Sequence, residues 1–154
     1  MPRVYSAISM GEQAAKRFVG TWRLTSVETR TEDGSVFRRG TRKGYLIYSG
    51  DGYMSVAFMK EGRPRFASGD IWGGTVEEKV AALDGYVSYC GRYEVRGGRV
   101  IHRIEVSLFP NWVGDDQERS YELDGDRLTL STPLMPVGGR MLSTHLIWDR
   151  VRET

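Results

Sequence analysis

Few side chains in this 154-residue chain could carry catalytic or metal-binding chemistry. The sequence contains two histidines, His102 and His145, and a single cysteine, Cys90. These numbers exclude a three-histidine or Cys/His zinc site, so we expect no metal and no cofactor. The glycine-rich and serine motifs of phosphate, dinucleotide and acyl-transfer sites do not occur either. Chemistry in this chain would therefore be free of cofactors.

His102 and Arg119 are the candidate catalytic residues. An imidazole can donate or accept a proton near neutral pH, and a guanidinium can stabilise an anion. If the loop of residues 110–116 is centred near residue 113, Arg119 lies opposite residue 106 or 107. His102 would then lie roughly 13 Å away along the strand. At that separation the two side chains would contact two ends of one ligand rather than form an acid–base pair.

Two-residue turns predict which strand residues face inward. A turn at Gly97-Gly98 pairs Tyr93 with His102 and leaves the neighbouring charged residues on the opposite face. A turn at Gly125-Asp126 likewise pairs Leu123 with Leu128. The same alternation applies to the first, sixth and last of the predicted strands. The predicted inward faces hold Trp22, Leu24, Ser26 and Glu28; Tyr93, Val95, Val100, His102, Ile104, Val106 and Leu108; Gln117, Arg119, Tyr121 and Leu123; and Leu142, Thr144, Leu146, Trp148 and Arg150.

An apolar interior with a few polar groups is typical of a small-molecule pocket. Trp112, in a proline-led loop, is placed to cover one barrel end or simply to anchor the loop. The predicted ligand-binding residues are Ser26, Glu28, Tyr93, His102, Trp112, Gln117, Arg119 and Tyr121.

Structural roles compete with these functional ones. His102 could be a core histidine whose partner is Tyr93, and Arg119 could form an internal ion pair with Glu28. Tyr121 could equally be an ordinary core residue. If Arg119 instead lacks an internal partner, a carboxylate or enolate of a ligand would supply one.

The elements that must position these residues are strands with two helices. Ser9 with Glu12, and Thr75 with Glu78, form capping boxes that predict helix starts. The first helix is expected to end at Gly20, and the second near Cys90. About eight strands with tight turns predict an all-β, eight-stranded antiparallel up-and-down barrel. We expect one domain over residues 1–154, and the order of residues 1–8 is left open.

Composition narrows the class of partner. The net charge of +2 is too small to predict nucleic-acid binding, and the basic run at residues 38–43 is expected in a solvated turn. No apolar run is long enough for a membrane span. A lone cysteine favours a reducing, cytoplasmic location. We therefore expect a small hydrophobic or amphiphilic ligand, no nucleic acid and no membrane, and leave open a homodimer.

Several motifs resemble those of the bacterial and fungal lipocalin-like domain family. Gly20-Thr21-Trp22 is similar to the G-x-W motif that opens the first lipocalin strand. The resemblance implies a closed barrel with a central cavity, and an arginine such as Arg150 stacked on Trp22. Some distantly similar barrels act as cyclases. The wider pattern includes Tyr89-Cys90-Gly91-Arg92-Tyr93-Glu94-Val95, Ser107-Leu108-Phe109-Pro110-Asn111-Trp112-Val113-Gly114 and Leu128-Thr129-Leu130-Ser131-Thr132.

Two classes of function follow from these observations. The first is binding of an apolar or amphiphilic small molecule, including an anionic one, in the barrel cavity. The second is a cofactor-free cyclase or isomerase acting on a polyketide- or terpene-like substrate, with His102 moving protons and Arg119 stabilising an anion. A structural or interaction role is a third option. The sequence does not identify the ligand.

Overall fold

The computed structural model describes residues 9–152, so the question left open for residues 1–8 lies outside the described residues. Within this range no helix has the length and apolar character needed to cross a membrane. The elements in chain order are α1 (Met10–Phe18), β1 (Gly20–Arg30), β2 (Val36–Gly40), β3 (Lys43–Tyr48), β4 (Tyr53–Met59), α2 (Val76–Asp84), β5 (Tyr86–Arg96), β6 (Arg99–Ser107), a 3₁₀ turn (Pro110–Trp112), β7 (Asp116–Asp124), β8 (Arg127–Ser131), β9 (Met135–Val137) and β10 (Arg140–Arg150).

Eight of the ten strands close into an antiparallel barrel. Strands β1, β3, β4, β5, β6, β7, β8 and β10 follow one another around it, and β10 pairs with β1 to complete the circle. The predicted fold is therefore confirmed. Two short strands were missed: β2 pairs with the second half of β1, and β9 pairs with the start of β10. The basic run expected in a turn thus lies partly in β2.

The two predicted hairpin registers are both correct. Tyr93 pairs with His102 in one hairpin, and Leu123 pairs with Leu128 in the other. The expected inward residues Val100 and Ile104 are almost wholly buried. Alternation of apolar and charged residues on either side of a tight turn was enough to place these faces, because a two-residue turn leaves one register.

Two bulges reverse the predicted faces beyond them. In β1 the register shifts between Leu24 and Ser26, so Val27 rather than Ser26 faces the interior and Glu28 lies on the outer face. In β6 the register shifts opposite Gly91, and Val106, expected inside, is 63% exposed. An extra residue in one strand changes which side chains point inward, and alternation alone does not reveal it.

The second helix is shorter than predicted. Its capping box at Thr75 and Glu78 is present, but the helix ends at Asp84 and β5 begins at Tyr86. Val87, expected on the helix, pairs with Phe58 of β4 instead. Aromatic and β-branched residues favour a strand once a neighbouring strand can pair with them. The apolar residues of α2, Val76, Val80 and Leu83, are exposed rather than packed against the barrel.

Helix α1 closes one end of the barrel, as its capping and position allow. Phe18, the last helical residue, is fully buried, and its carbonyl oxygen accepts a 2.8 Å hydrogen bond from Trp22 Nε1. The Arg150 guanidinium lies 4.2 Å from the centre of the Trp22 ring. It also donates hydrogen bonds to the carbonyl oxygens of Arg17 and Val19. The predicted cation–π contact is thus present and ties the last strand to the helix.

Candidate ligand-binding cavity

A cavity of about 410 Å³ occupies the barrel on the side away from α1. Its volume falls within the range of small-molecule pockets. Exposed lining residues such as Lys60, Asp84 and Val137 lie at the ends of β4, α2 and β9 and mark its mouth. Most of the wall is apolar. The apolar lining residues include Val27, Leu46, Val56, Phe58, Leu130, Leu146 and Trp148.

His102 is held at the inner end of this cavity by two tyrosines. Its Nε2 lies 2.6 Å from the Tyr48 hydroxyl, and its Nδ1 lies 2.8 Å from the Tyr89 hydroxyl. All three side chains are buried, and Tyr89 and His102 line the cavity. The predicted partner Tyr93 is instead hydrogen-bonded to the carbonyl oxygen of Ser49. The predicted Tyr93 contact was wrong because cross-strand pairing brings the backbones together without joining the polar tips.

The environment keeps these groups neutral. Burial, together with the Arg119 charge, lowers the pKa of His102 to about 3. Burial raises the pKa of Tyr89, opposed by Arg119, and raises that of Tyr48 well above its ordinary value. Removal from water disfavours the charged form of each group. At neutral pH the three residues therefore form a chain of uncharged hydrogen-bonding groups.

Arg119 lies closer to His102 than the sequence suggested. Its partner across the β6–β7 ladder is Val100, two residues from His102, which itself pairs with Gln117. Diagonal neighbours of this kind lie about 7–8 Å apart. The expected separation was wrong because the pairing of β6 with β7 stops at Arg103. Residues 104–107 of β6 were expected to pair with β7 but lie beyond the end of this pairing. His102 and Arg119 thus belong to one end of the cavity.

Arg119 is buried and has no carboxylate partner among residues 9–152. Its two hydrogen bonds to protein, both from Nη1, reach Gln117 Oε1 at 3.2 Å and the carbonyl oxygen of Glu118 at 3.0 Å. A buried guanidinium cannot lose its charge, so it requires acceptors. Its remaining donors are available to a molecule in the cavity.

The predicted ion pair of Arg119 with Glu28 does not form. The Glu28 carboxylate is paired with Arg30 at 2.8 Å and Arg39 at 3.2 Å. The Arg30 hydrogen bond, supported by Arg39, lowers the pKa of Glu28. The bulge in β1 turned this side chain outward, and β2, which the sequence did not predict, supplied Arg39.

The remaining predicted residues divide between cavity and core. Trp112 lines the cavity and packs edge-on against Tyr89, with ring centres 5.8 Å apart. Gln117 accepts a hydrogen bond from Arg119 but does not line the cavity. Tyr93 and Tyr121 pack at the closed end, where Tyr121 contacts Phe18. Ser26 is also outside the lining, for the reason given for Glu28.

Three contributors to the site were not proposed from the sequence. Tyr48 ends an apolar strand and resembles an ordinary core residue, and Tyr89 was expected near the end of the second helix, so neither was singled out. Trp148 was expected to face inward, but its indole N–H was not considered as a hydrogen-bond donor. Its indole Nε1–H is buried and has no hydrogen-bond partner among the described residues, although the ring lines the cavity. Such an unmatched donor is recognised only when its surroundings are known.

A closed antiparallel barrel around an internal cavity, sealed by a helix at one end, is the architecture of lipocalin-type proteins. The chain belongs to the lipocalin-like domain family, whose sequence model matches residues 19–151. The match includes every strand of the barrel. It confirms the family resemblance carried by the Gly20-Thr21-Trp22 motif and the downstream patterns.

Proteins similar to this chain include a fungal carrier protein and a mycobacterial protein of known structure. A 4'-hydroxy-3'-methoxypropiophenone carrier protein, ppsC, of Aspergillus oryzae is 36% identical over 108 residues, which cover 64% of this chain and 96% of that protein. The crystal structure of Rv2717c from M. tuberculosis matches with a TM-score of 0.44 and 13% identity. That comparison covers 95% of this chain and 100% of the other.

Proposed function

We propose that this protein binds and carries an apolar or amphiphilic small molecule in its barrel cavity. The observation that carries the proposal is an apolar cavity of about 410 Å³ whose inner end holds the buried Arg119 guanidinium, which has unused N–H donors and no carboxylate partner among residues 9–152. A buried polar group is costly unless it is hydrogen-bonded. A ligand with one or more acceptor oxygens would satisfy these donors while its apolar body contacts the wall.

Similarity to a named carrier supports the same conclusion. The Aspergillus oryzae relative is named for carrying 4'-hydroxy-3'-methoxypropiophenone, an aromatic ketone with a phenolic hydroxyl. A ligand of this kind combines a flat apolar ring with acceptor oxygens. Trp112, Tyr89 and Phe58 offer aromatic surface to such a ring. We therefore expect ligands of this size and character here, anionic ones included.

Titration with 4'-hydroxy-3'-methoxypropiophenone tests the proposal. Calorimetry gives the affinity directly, and the fluorescence of Trp112 and Trp148 should change because both line the cavity. Arg119→Ala is expected to weaken binding by about 1.5–3 kcal/mol, the range of a hydrogen bond to a charged group. The fold should survive, because Arg119 has no carboxylate partner among the described residues that its loss would leave unpaired.

A variant that fills the cavity separates internal binding from surface binding. Val27 lines the cavity, so Val27→Trp should abolish binding, whereas Val106→Trp on the exposed outer face should leave it unchanged. Circular dichroism spectra of both variants would establish that each is folded. Equal affinity of the two folded variants would contradict binding inside the barrel.

Cofactor-free cyclase or isomerase activity is the second candidate, because the chain of Tyr48, His102 and Tyr89 opens onto the same cavity. With its pKa lowered to about 3, His102 is a weak base. Burial also raises the pKa of Tyr89, so its hydroxyl is a weak acid, and both groups favour hydrogen bonding to a substrate over full proton transfer. Chromatography and NMR spectroscopy after incubation with a polyketide- or terpene-like compound distinguish the candidates, because an isomer has the same mass as the starting compound. A carrier returns the compound unchanged, and an enzyme returns an isomer that Tyr89→Phe no longer forms.

A further inference from the structure

Tyr48, His102 and Tyr89, at the inner end of the cavity, carry one more polar hydrogen than their two mutual hydrogen bonds require. Tyr48 and Tyr89 each carry a hydroxyl proton, and neutral His102 carries one ring proton. Two hydrogen bonds join the three residues, so two of the three protons are used. Because the imidazole both donates and accepts, the spare proton must lie on one of the tyrosines.

The surroundings assign the spare proton to Tyr89. Tyr48 is 1% exposed, does not line the cavity and has no other hydrogen-bond partner among residues 9–152. A buried donor is rarely left unsatisfied, so Tyr48 donates to Nε2 of His102. Nδ1 of His102 then donates to the Tyr89 oxygen. Tyr89 lines the cavity, so its hydroxyl proton is left for an acceptor there.

Arg119 adds further donors to the cavity lining, next to Tyr89, and its charge opposes the rise in the pKa of Tyr89. By geometry, Nε and Nη2 of Arg119 donate to none of the residues that the structure describes. Trp148 Nε1–H also has no partner there, but this atom is buried and is not exposed to the cavity. Strands β1, β4 and β8 add apolar or threonine side chains and no charge at this depth. The charged and titratable groups that line the mouth are Arg42, Lys60, Asp84 and Tyr86. The inner end therefore combines one permanent positive charge with an uncharged donor, the Tyr89 hydroxyl.

We propose that the cavity binds acidic phenols in their deprotonated form, with the phenolate oxygen directed at Tyr89 and Arg119. On binding, the phenol O–H bond breaks, its proton passes to the buffer, and the phenolate accepts hydrogen bonds from these donors. The proposal rests on the proposed carrier function and names the class of ligand. A buried cation and aligned donors stabilise an anion more than the neutral molecule of the same shape.

The probe is 4-nitrophenol, whose phenolate has a visible absorption band that the neutral phenol lacks. Its methyl ether, 4-nitroanisole, has nearly the same shape and cannot ionise. At a pH below the pKa of free 4-nitrophenol, the protein should make the phenolate band appear. We expect the apparent pKa of the bound probe to fall by at least one unit, a tenfold preference for the anion. Calorimetry in buffers of different ionisation enthalpy should show proton release, and 4-nitroanisole should bind more weakly without it.

Matched variants test the donors. Tyr89→Phe and Arg119→Gln should lose most of the pKa shift, whereas Tyr53→Phe, which changes an exposed tyrosine outside the cavity, should keep it. Binding of 4-nitrophenol and 4-nitroanisole with equal affinity and no phenolate band would overturn the proposal and leave the carrier function intact. A phenolate band that persists in folded Tyr89→Phe and Arg119→Gln would also overturn it. Failure of both probes to enter the cavity would count against the carrier function as well.

Discussion

Unmatched hydrogen-bonding capacity distinguishes individual residues of this cavity from those of an ordinary core. Arg119 is buried without a carboxylate partner in the described chain, and Trp148 keeps a buried N–H without an acceptor there. His102, by contrast, is fully satisfied by two tyrosine hydroxyls. A buried polar side chain with hydrogen-bond partners within the protein helps to fix the packing of the core. A buried polar side chain that lines the cavity without such partners indicates where a ligand would bind.

The stability of the protein should depend on pH through His102. Its pKa is about 3 in the folded protein and about 6.5 when unfolded. Between these values only the unfolded chain binds the proton. The free energy of unfolding should therefore fall as the pH is lowered from 7 to 5, by up to ~1.4 kcal/mol per pH unit. Urea denaturation at several pH values measures the slope.

Histidine variants identify the source of that slope. Burial also lowers the pKa of His145, so it adds a contribution of the same sign. We expect His102→Gln to flatten the dependence more than His145→Gln, although His102→Gln is less stable at every pH. An unchanged slope in His102→Gln would show that this ring is not the buried neutral group described here.

At the scale of elements, bulges and strand pairing set which side chains reach the cavity. Gly91 lies at the bulge between β5 and β6, where a Cβ atom would lie 1.9 Å from the Arg103 carbonyl oxygen. No flexible side chain can move aside, because the obstacle is backbone. The bulge therefore requires glycine at this position.

Replacing that glycine should destabilise the barrel. We expect Gly91→Ala to lower the free energy of unfolding by about 3 kcal/mol or more, since the strands must separate locally to admit a methyl group. Gly50, in a neighbouring turn with open space around it, supplies the matched control. Gly50→Ala should change stability by less than about 0.5 kcal/mol. Similar denaturation curves for the two variants would contradict the close approach at Gly91.

At the scale of the whole molecule, β1 and β10 join the beginning and end of the barrel. Trp22 pairs with Arg150 across this closure, and the Arg150 side chain also holds the end of α1. One layer of buried residues continues from the closed end to the cavity wall. We propose on this basis that residues 1–154 behave as a single domain.

A single domain should unfold in one transition. Trp22→Ala at the closed end removes a fully buried aromatic side chain and should cost roughly 3–5 kcal/mol. Leu146→Ala at the cavity wall should shift the same transition, because both residues belong to one core. For the wild-type protein and for both variants, differential scanning calorimetry should give a calorimetric enthalpy equal to the van't Hoff enthalpy. A second unfolding transition, or a variant that shifts only part of the transition, would contradict this proposal.

Local patterns in the sequence were enough to predict the family, the eight barrel strands, the two hairpin registers and the stacking of Arg150 on Trp22. Each depends on alternation, tight turns or short motifs, which act over a few residues. Placing His102 and Arg119 on inward faces succeeded for the same reason. The faces beyond Leu24 and opposite Gly91 were wrong, because a bulge depends on how two distant strands fit together.

Long-range packing set the composition of the site. The position of Arg119 relative to His102 depended on where the β6–β7 ladder stops, and the partner of Glu28 depended on a strand that forms only against β1. The hydrogen bonds of Tyr48 and Tyr89 to His102 join residues 54 and 13 positions apart along the chain. Hydrogen-bond satisfaction inside a barrel is a property of the assembled wall, so the unmatched donors of Arg119 and Trp148 emerge only when all eight strands are in place.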